Sequence, residues 1–148
     1  MPRLKHCLLT AAIFFLAPSA FAAGDPAEER HERMEAVGDA VAPLGGMLKG
    51  ELEFSSATAM ASLMTIKDKT TGIGELFPEG SYVEGKKRAT QAVWTNRADF
   101  DQKLGDFNLA LDAAIAANPQ SVDELKPVFS GLIDTCKACH EDYRSPGD

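Results

Sequence analysis

Cysteine and histidine are scarce in this 148-residue chain, three of each, and tryptophan occurs once. Cys7 and His6 lie in the first 22 residues, which leaves two cysteines and two histidines for the rest. A structural zinc site normally takes four such ligands. There is no second cysteine pair, and His31 is the only histidine beyond His140, so a zinc centre is disfavoured. Basic residues are in deficit as well, 15 against 22 acidic, for a net charge of −7. That balance argues against nucleic acid and anionic membrane surfaces, and favours partners that carry a basic patch. No stretch is apolar for the roughly 20 residues that a membrane span requires. No segment alternates as a strand would, and neither a repeat nor a low-complexity tract is present.

The N-terminus reads as a leader. A short basic region, Met1 to Lys5, precedes the apolar run Cys7–Ala17 and an Ala20-Phe21-Ala22 cleavage pattern. Residues 1–22 are expected to be a cleaved signal peptide, and residues 23–148 one mature domain exported to the periplasm. Cys7 stands too early to be a lipoprotein cysteine and would leave with the leader. Loss of Arg3 and Lys5 would take the 15 basic residues to 13, against 22 acidic, for a net charge of −9.

What remains is helical in pattern. Asp25, Pro26 and Glu28 form a helix start. Met34, Val37, Val41, Leu44 and Leu48 then recur at steps of three and four until Lys49-Gly50 stops them. Pro43 predicts a kink. A second helix is expected from Ser55 or Ser56 to Thr71-Gly72, with Met60, Leu63, Met64 and Ile66 apolar. Residues 72–92 read as a long irregular crossover of the kind that wraps a cofactor or runs as a solvated loop. Thr95 or Asn96 would cap a third helix carrying Phe100, Leu104, Phe107, Leu111 and Ile115, stopped by Asn118-Pro119. Ser121 and Glu124 open a fourth in a capping-box pattern, and Pro127 should bend it or shift its start to about residue 124. The predicted fold is all-α, an antiparallel four-helix bundle.

One motif carries chemistry: Cys136-Lys137-Ala138-Cys139-His140. C-x-x-C-H is the signature of covalent c-type haem attachment. Helical residues three apart share a face about 5–6 Å apart, so both thiols can reach one porphyrin edge. His140, four after Cys136, then supplies an imidazole to the iron. A thiol–disulfide pair is the competing reading, but it would normally come with βαβ elements, which this pattern lacks. No methionine follows His140, so a methionine sixth ligand must come from an earlier helix: Met34, Met47, Met60 or Met64. Met34 is favoured, because the start of the first helix and the finish of the fourth lie at one end of an up-down-up-down bundle.

Over the whole mature length the chain resembles the class II cytochromes c, the cytochrome c′ and cytochrome c-556 family. The residues that carry the resemblance begin with the C-x-x-C-H pentapeptide followed by Glu141-Asp142-Tyr143-Arg144. Leu76-Phe77-Pro78-x-Gly80, Val93-Trp94, Ala98-Asp99-Phe100, Arg30-x-x-x-Met34-x-x-x-Gly38 and Lys49-Gly50 complete it, in family order. The resemblance implies one covalent haem c near the C-terminal end of helix 4. Cys136 and Cys139 would be the thioether sites and His140 the proximal ligand. Arg144 would lie beside the proximal face, and Arg30 would approach the haem propionates. Met34 would occupy the distal position, bound to iron in a c-556 type and unbound in a c′ type. Pro43 departs from the family's usual uninterrupted first helix.

The expected function is single-electron transfer by a periplasmic haem protein that is not an enzyme, working with redox partner proteins and with no stable membrane insertion. The alternative is a five-coordinate c′-type protein that binds nitric oxide or carbon monoxide. Homodimerisation through the first two helices is common in the family.

Overall fold

The computed structural model describes residues 24–85 and 88–146. Residues 1–23, on which the expected signal peptide falls, lie outside them, as do Lys86, Lys87 and the last two residues. Four long helices make the bundle: α1 (Pro26–Lys49), α2 (Ser56–Thr70), α4 (Arg97–Ala117) and α5 (Val122–Tyr143), with a one-turn α3 (Ala92–Thr95) before α4. α1 packs chiefly on α2 and α4 on α5. Among the described residues there is no strand, only an isolated antiparallel bridge between Ala89 and Arg144.

The helix ends follow local chemistry. Asp25 accepts a hydrogen bond from the Ala27 amide at 2.9 Å, with Pro26 in the first turn. Gly50 closes α1 at φ 75°, a left-handed conformation that glycine adopts without a Cβ penalty. Ser55, not Ser56, caps α2, accepting from the Thr58 amide at 3.2 Å. The Ser56 hydroxyl instead donates to the Pro119 carbonyl at 2.8 Å, tying the start of α2 to the α4–α5 turn. Ser121 accepts from the Glu124 amide at 3.2 Å, and Glu124 accepts from the Gln120 amide at 2.8 Å. This is the capping box moved back by one residue on its return bond.

Neither internal proline stops its helix. α1 continues through Pro43 to Lys49, and α5 starts at Val122 with Pro127 inside it. Each proline removes one donor, to the carbonyl four residues earlier. Those carbonyls belong to Asp39 and Asp123, both exposed, so water can take the vacated bond. The crossover also holds more regular structure than its composition predicts. A 3₁₀ turn spans Ile73–Leu76 ahead of α3.

The apolar interior falls into two clusters. The larger one joins Leu44, Met47, Leu63, Ile66, Leu111, Leu125 and Leu132 between the four long helices. The smaller one joins Val93, Phe100 and Tyr143, with Phe77, Trp94, Leu104 and Cys139 packed on it. Within it the Tyr143 hydroxyl donates to Asp99 Oδ2 at 2.6 Å and accepts from Asn96 Nδ2 at 3.2 Å.

Two outcomes follow from this packing. Leu63 is wholly buried, so Leu63→Ala should cost about 2–5 kcal/mol in chemical denaturation, whereas Leu109→Ala, at a 71% exposed position, should be near neutral. Burial, with the Asp99 carboxylate second, pushes the Tyr143 phenol up to about 12. The folded state therefore holds this proton where the unfolded chain, near 10, releases it. Stability from this group is complete below pH 10 and lost as pH rises towards 12. Tyr143→Phe should flatten that alkaline loss when unfolding is followed by circular dichroism.

Candidate haem site

A cavity of about 510 Å³ opens between α1, the crossover, α4 and α5. Ligand pockets of this kind usually span about 300–1,000 Å³. α5 contributes Cys136, Cys139 and His140 to its lining, with Ile133 and Tyr143 on the same helix. α1 contributes Arg30, Met34, Val37, Gly38 and Val41, and the crossover adds Ile73 and Phe77. Arg144 lines it as well. All six residues singled out from the sequence thus meet at one cavity.

The four methionine candidates separate cleanly. Met34, half-buried, lines the cavity, and the other three do not. Met47 is buried in the main core, where its sulfur accepts from the Ser55 amide at 3.3 Å. Met60 packs against that core, and Met64 is 53% exposed on α2. One thioether is therefore available on the α1 side.

The electrostatics suit neutral ligands. Burial pushes the Cys136 thiol up, and burial with Cys136 as neighbour pushes Cys139 up to about 11. Reactive redox cysteines have the opposite property, a lowered pKa. Both thiols here stay protonated at neutral pH, which counts against a dithiol oxidoreductase. Burial lowers the pKa of His140, and Arg144 lowers it further. A neutral imidazole with a free lone pair is what iron ligation needs. Among the described residues no cluster of three or more His, Cys, Asp or Glu could hold a metal ion by itself. Two half-buried free thiols and a neutral imidazole on one helix, facing a mostly apolar slot, match the donor set and shape that haem c requires.

The arginines do work that the sequence did not announce. Arg30 is buried, and burial lowers its pKa while Asp25 opposes the shift. Its guanidinium donates to the carbonyl of Leu76, to Ser81 Oγ at 3.1 Å and to the Ser81 carbonyl at 2.9 Å. It also lies 4.6 Å from the Phe77 ring centroid and 5.8 Å from that of Trp94. Arg97 donates to the Phe77 carbonyl at 3.1 Å and the Gly74 carbonyl at 3.2 Å. Arg33 takes the Thr71 carbonyl at 3.0 Å, and Arg88 reaches back to the Ala27 carbonyl at 3.2 Å. The return of the crossover is stapled to the end of α5 by Thr90 N to Tyr143 O at 2.9 Å and Ser145 N to Arg88 O at 2.8 Å. Sequence reading also missed His31 and Glu35, an i,i+4 pair at 3.4 Å that lines the cavity, with Glu35 exposed at its rim.

Arg30 is accordingly the post on which the crossover hangs. Charged hydrogen bonds of this kind contribute about 1.5–3 kcal/mol each, so Arg30→Leu should destabilise the fold by about 2–4 kcal/mol. Hydrogen exchange should speed up at the Phe77 and Ser81 amides before it does in α2.

Comparison with known proteins agrees with this geometry. The family described as Cytochrome C' matches residues 25–144. The chain is 33% identical over 146 residues to the cytochrome c' of Rhodopseudomonas palustris, which covers 96% of this chain and 98% of that protein. It is 31% identical over 144 residues to the cytochrome c-556 of Agrobacterium fabrum, covering 95% and 97%. Among solved structures, the cytochrome c' of R. palustris superposes with a TM-score of 0.78 at 30% identity, over 85% of this chain and 100% of that one. An NMR-validated structure of oxidised R. palustris cytochrome c556 gives 0.73 at 26% identity, over 84% and 98%. Members of this family bind haem c covalently and carry electrons or bind gas. The relatives include proteins named for both branches, and the chain itself belongs to the cytochrome c′ family.

Proposed function

We propose that this chain is an exported haem c protein that passes single electrons between partner proteins, with thioether bonds from Cys136 and Cys139, His140 as proximal iron ligand and Met34 on the distal side. The observation that carries this reading is the composition of one cavity. Its α5 wall holds both thiols and the imidazole, and its α1 wall holds Met34, the one methionine that lines it among the described residues. When bound, the group supplies an iron that moves between ferric and ferrous states.

The chain's own residues then set the terms. His140 offers a neutral nitrogen at pH 7, because burial and Arg144 disfavour its protonation. Met34 offers a soft sulfur, which favours the reduced metal and raises the potential. Val37, Val41, Ile73, Phe100 and Leu104 keep the surroundings apolar, so little solvent must reorganise when charge changes. The acidic surface suits a partner with a basic patch and speeds encounter at low salt. The N-terminal leader supports a periplasmic location and a mature domain of residues 23–148. A homodimer joined through α1 and α2 fits the family resemblance. No committed catalytic step is proposed, since the single histidine–carboxylate pair on the cavity, His31–Glu35, is closed on itself.

A second reading has its own support. Gly38 lines the cavity one turn after Met34, and an added Cβ there would meet nothing within 4 Å. With Val37 and Val41 it makes a roomy apolar α1 wall, past which nitric oxide or carbon monoxide could enter while polar ligands are disfavoured. In that case Met34 only covers the distal side.

Absorption spectra separate the two. The electron carrier should be low-spin when ferric and ferrous and unchanged by carbon monoxide. Met34→Ala should then convert it to a high-spin form that binds the gas. A wild-type protein that is already high-spin, and shifts at once on adding carbon monoxide, would establish the gas-binding reading instead.

A further inference from the structure

Every tyrosine and tryptophan of the chain stands in one file. The sequence holds two tyrosines and one tryptophan, and Phe77 and Phe100 join them into a continuous row. Ring centroids lie 5.2 Å apart from Tyr143 to Phe100 and 4.8 Å from Phe100 to Phe77. They lie 6.0 Å apart from Phe77 to Trp94 and 5.9 Å from Trp94 to Tyr82. All four steps fall within aromatic contact range. Tyr143, Phe100 and Phe77 line the cavity, whereas Tyr82, at the far end, is 42% exposed. Packing alone accounts for the buried rings. It does not account for a file that collects every tyrosine and the tryptophan of the chain and ends at the surface.

We propose that this file is a second function of the protein, a route by which oxidising equivalents leave the haem cavity and emerge at Tyr82. It rests on haem attachment at Cys136 and Cys139 and on the reading in which Met34 covers the distal side without binding iron. The oxidant is a hydroperoxide reacting at the bound haem, and electrons flow inward along the file to replace those it removes. Tyrosine and tryptophan give up an electron far more readily than phenylalanine. Tyr143, Trp94 and Tyr82 are therefore the stations, and Phe100 with Phe77 is the bridge.

The polar partners set the direction. Tyr143 donates to the Asp99 carboxylate at 2.6 Å, which can take the phenolic proton as the electron departs and return it afterwards. Trp94 donates to the Pro78 carbonyl at 2.9 Å, which cannot take a proton. The Arg30 guanidinium lies over Phe77 and Trp94, so a positive charge resting there is penalised and passes on. At exposed Tyr82 the proton goes to water, leaving a neutral phenoxyl radical.

The balance closes with a second molecule. The radical takes a hydrogen atom from Tyr82 of another copy, the restored Tyr82 supplies the second electron, and the two radicals couple through one carbon–carbon bond. Two phenols and one hydrogen peroxide give one dityrosine and two waters.

The test uses the holoprotein and stoichiometric hydrogen peroxide, read by dityrosine fluorescence, covalent dimer on a denaturing gel and peptide mapping. Wild type should yield a Tyr82–Tyr82 cross-link. Trp94→Phe keeps a ring in the file but removes its station, so the cross-link should be lost while helicity and the haem spectrum persist. Tyr82→Phe should abolish the cross-link and move oxidation to Trp94. Sulfoxide at exposed Met64, which lies off the file, should form equally in all three and reports equal exposure to peroxide. A wild-type haem that carbon monoxide does not reach, a wild-type protein without Tyr82 product, or a Trp94→Phe protein with undiminished product overturns the relay. A colourless protein would overturn haem attachment instead.

Discussion

An irregular stretch of backbone can stand beside a cavity only if its carbonyls find donors, and here arginine supplies them. Arg30 holds Leu76 and Ser81, and Arg97 holds Gly74 and Phe77. The Arg30 bonds are part-buried, and a buried carbonyl left unpaired there would cost about 1–3 kcal/mol. A guanidinium suits the task because it offers several donors in a fixed plane and does not titrate in the physiological range. The crossover thus becomes a wall instead of a loop. Ile73 and Phe77 can then stand in fixed positions against whatever occupies the space between α1 and α5.

That wall explains why one end of the bundle is hollow while the other is filled. In the main core, leucines from all four long helices meet. At the cavity end α1, the crossover, α4 and α5 surround a mostly apolar space, with both thiols and the imidazole on α5 and Met34 on α1. Desolvation acts there in one consistent direction. It keeps the thiols protonated and the imidazole neutral, so none of the three α5 groups carries a charge before a cofactor arrives. The site is prepared for a group that brings its own metal.

Much of this was legible in the sequence, for identifiable reasons. Helix starts at Asp25 and Ser121 depend on hydrogen bonds within a few residues, which local patterns encode. The stripe from Met34 to Leu48 and the pentapeptide at Cys136–His140 carry helical period and chemistry together. What could not be read were contacts of long sequence separation with no periodic signature. Arg30 reaches 46 and 51 residues downstream, and nothing around either end marks the partnership. Its resemblance to a propionate-binding arginine concealed a structural duty. Pro127 misled in one respect, since α5 starts at Val122 and not near residue 124; the Asp123 residue, whose carbonyl loses its donor to the proline, is exposed and can turn to water.

α1 belongs to both ends at once. Leu44 and Met47 are locked in the filled core, while Arg30 and Met34 stand at the hollow end of the same unbroken helix. Ten residues separate Met34 from Leu44, about 15 Å of rigid rod at about 1.5 Å per residue. The rod is a gauge, and the seating of Leu44 sets the reach of the sulfur over the cavity. Any repacking that slides or turns α1 in the leucine core would carry Met34 with it, and were that sulfur an iron ligand, the hue of the haem would register events in a part of the molecule it never touches.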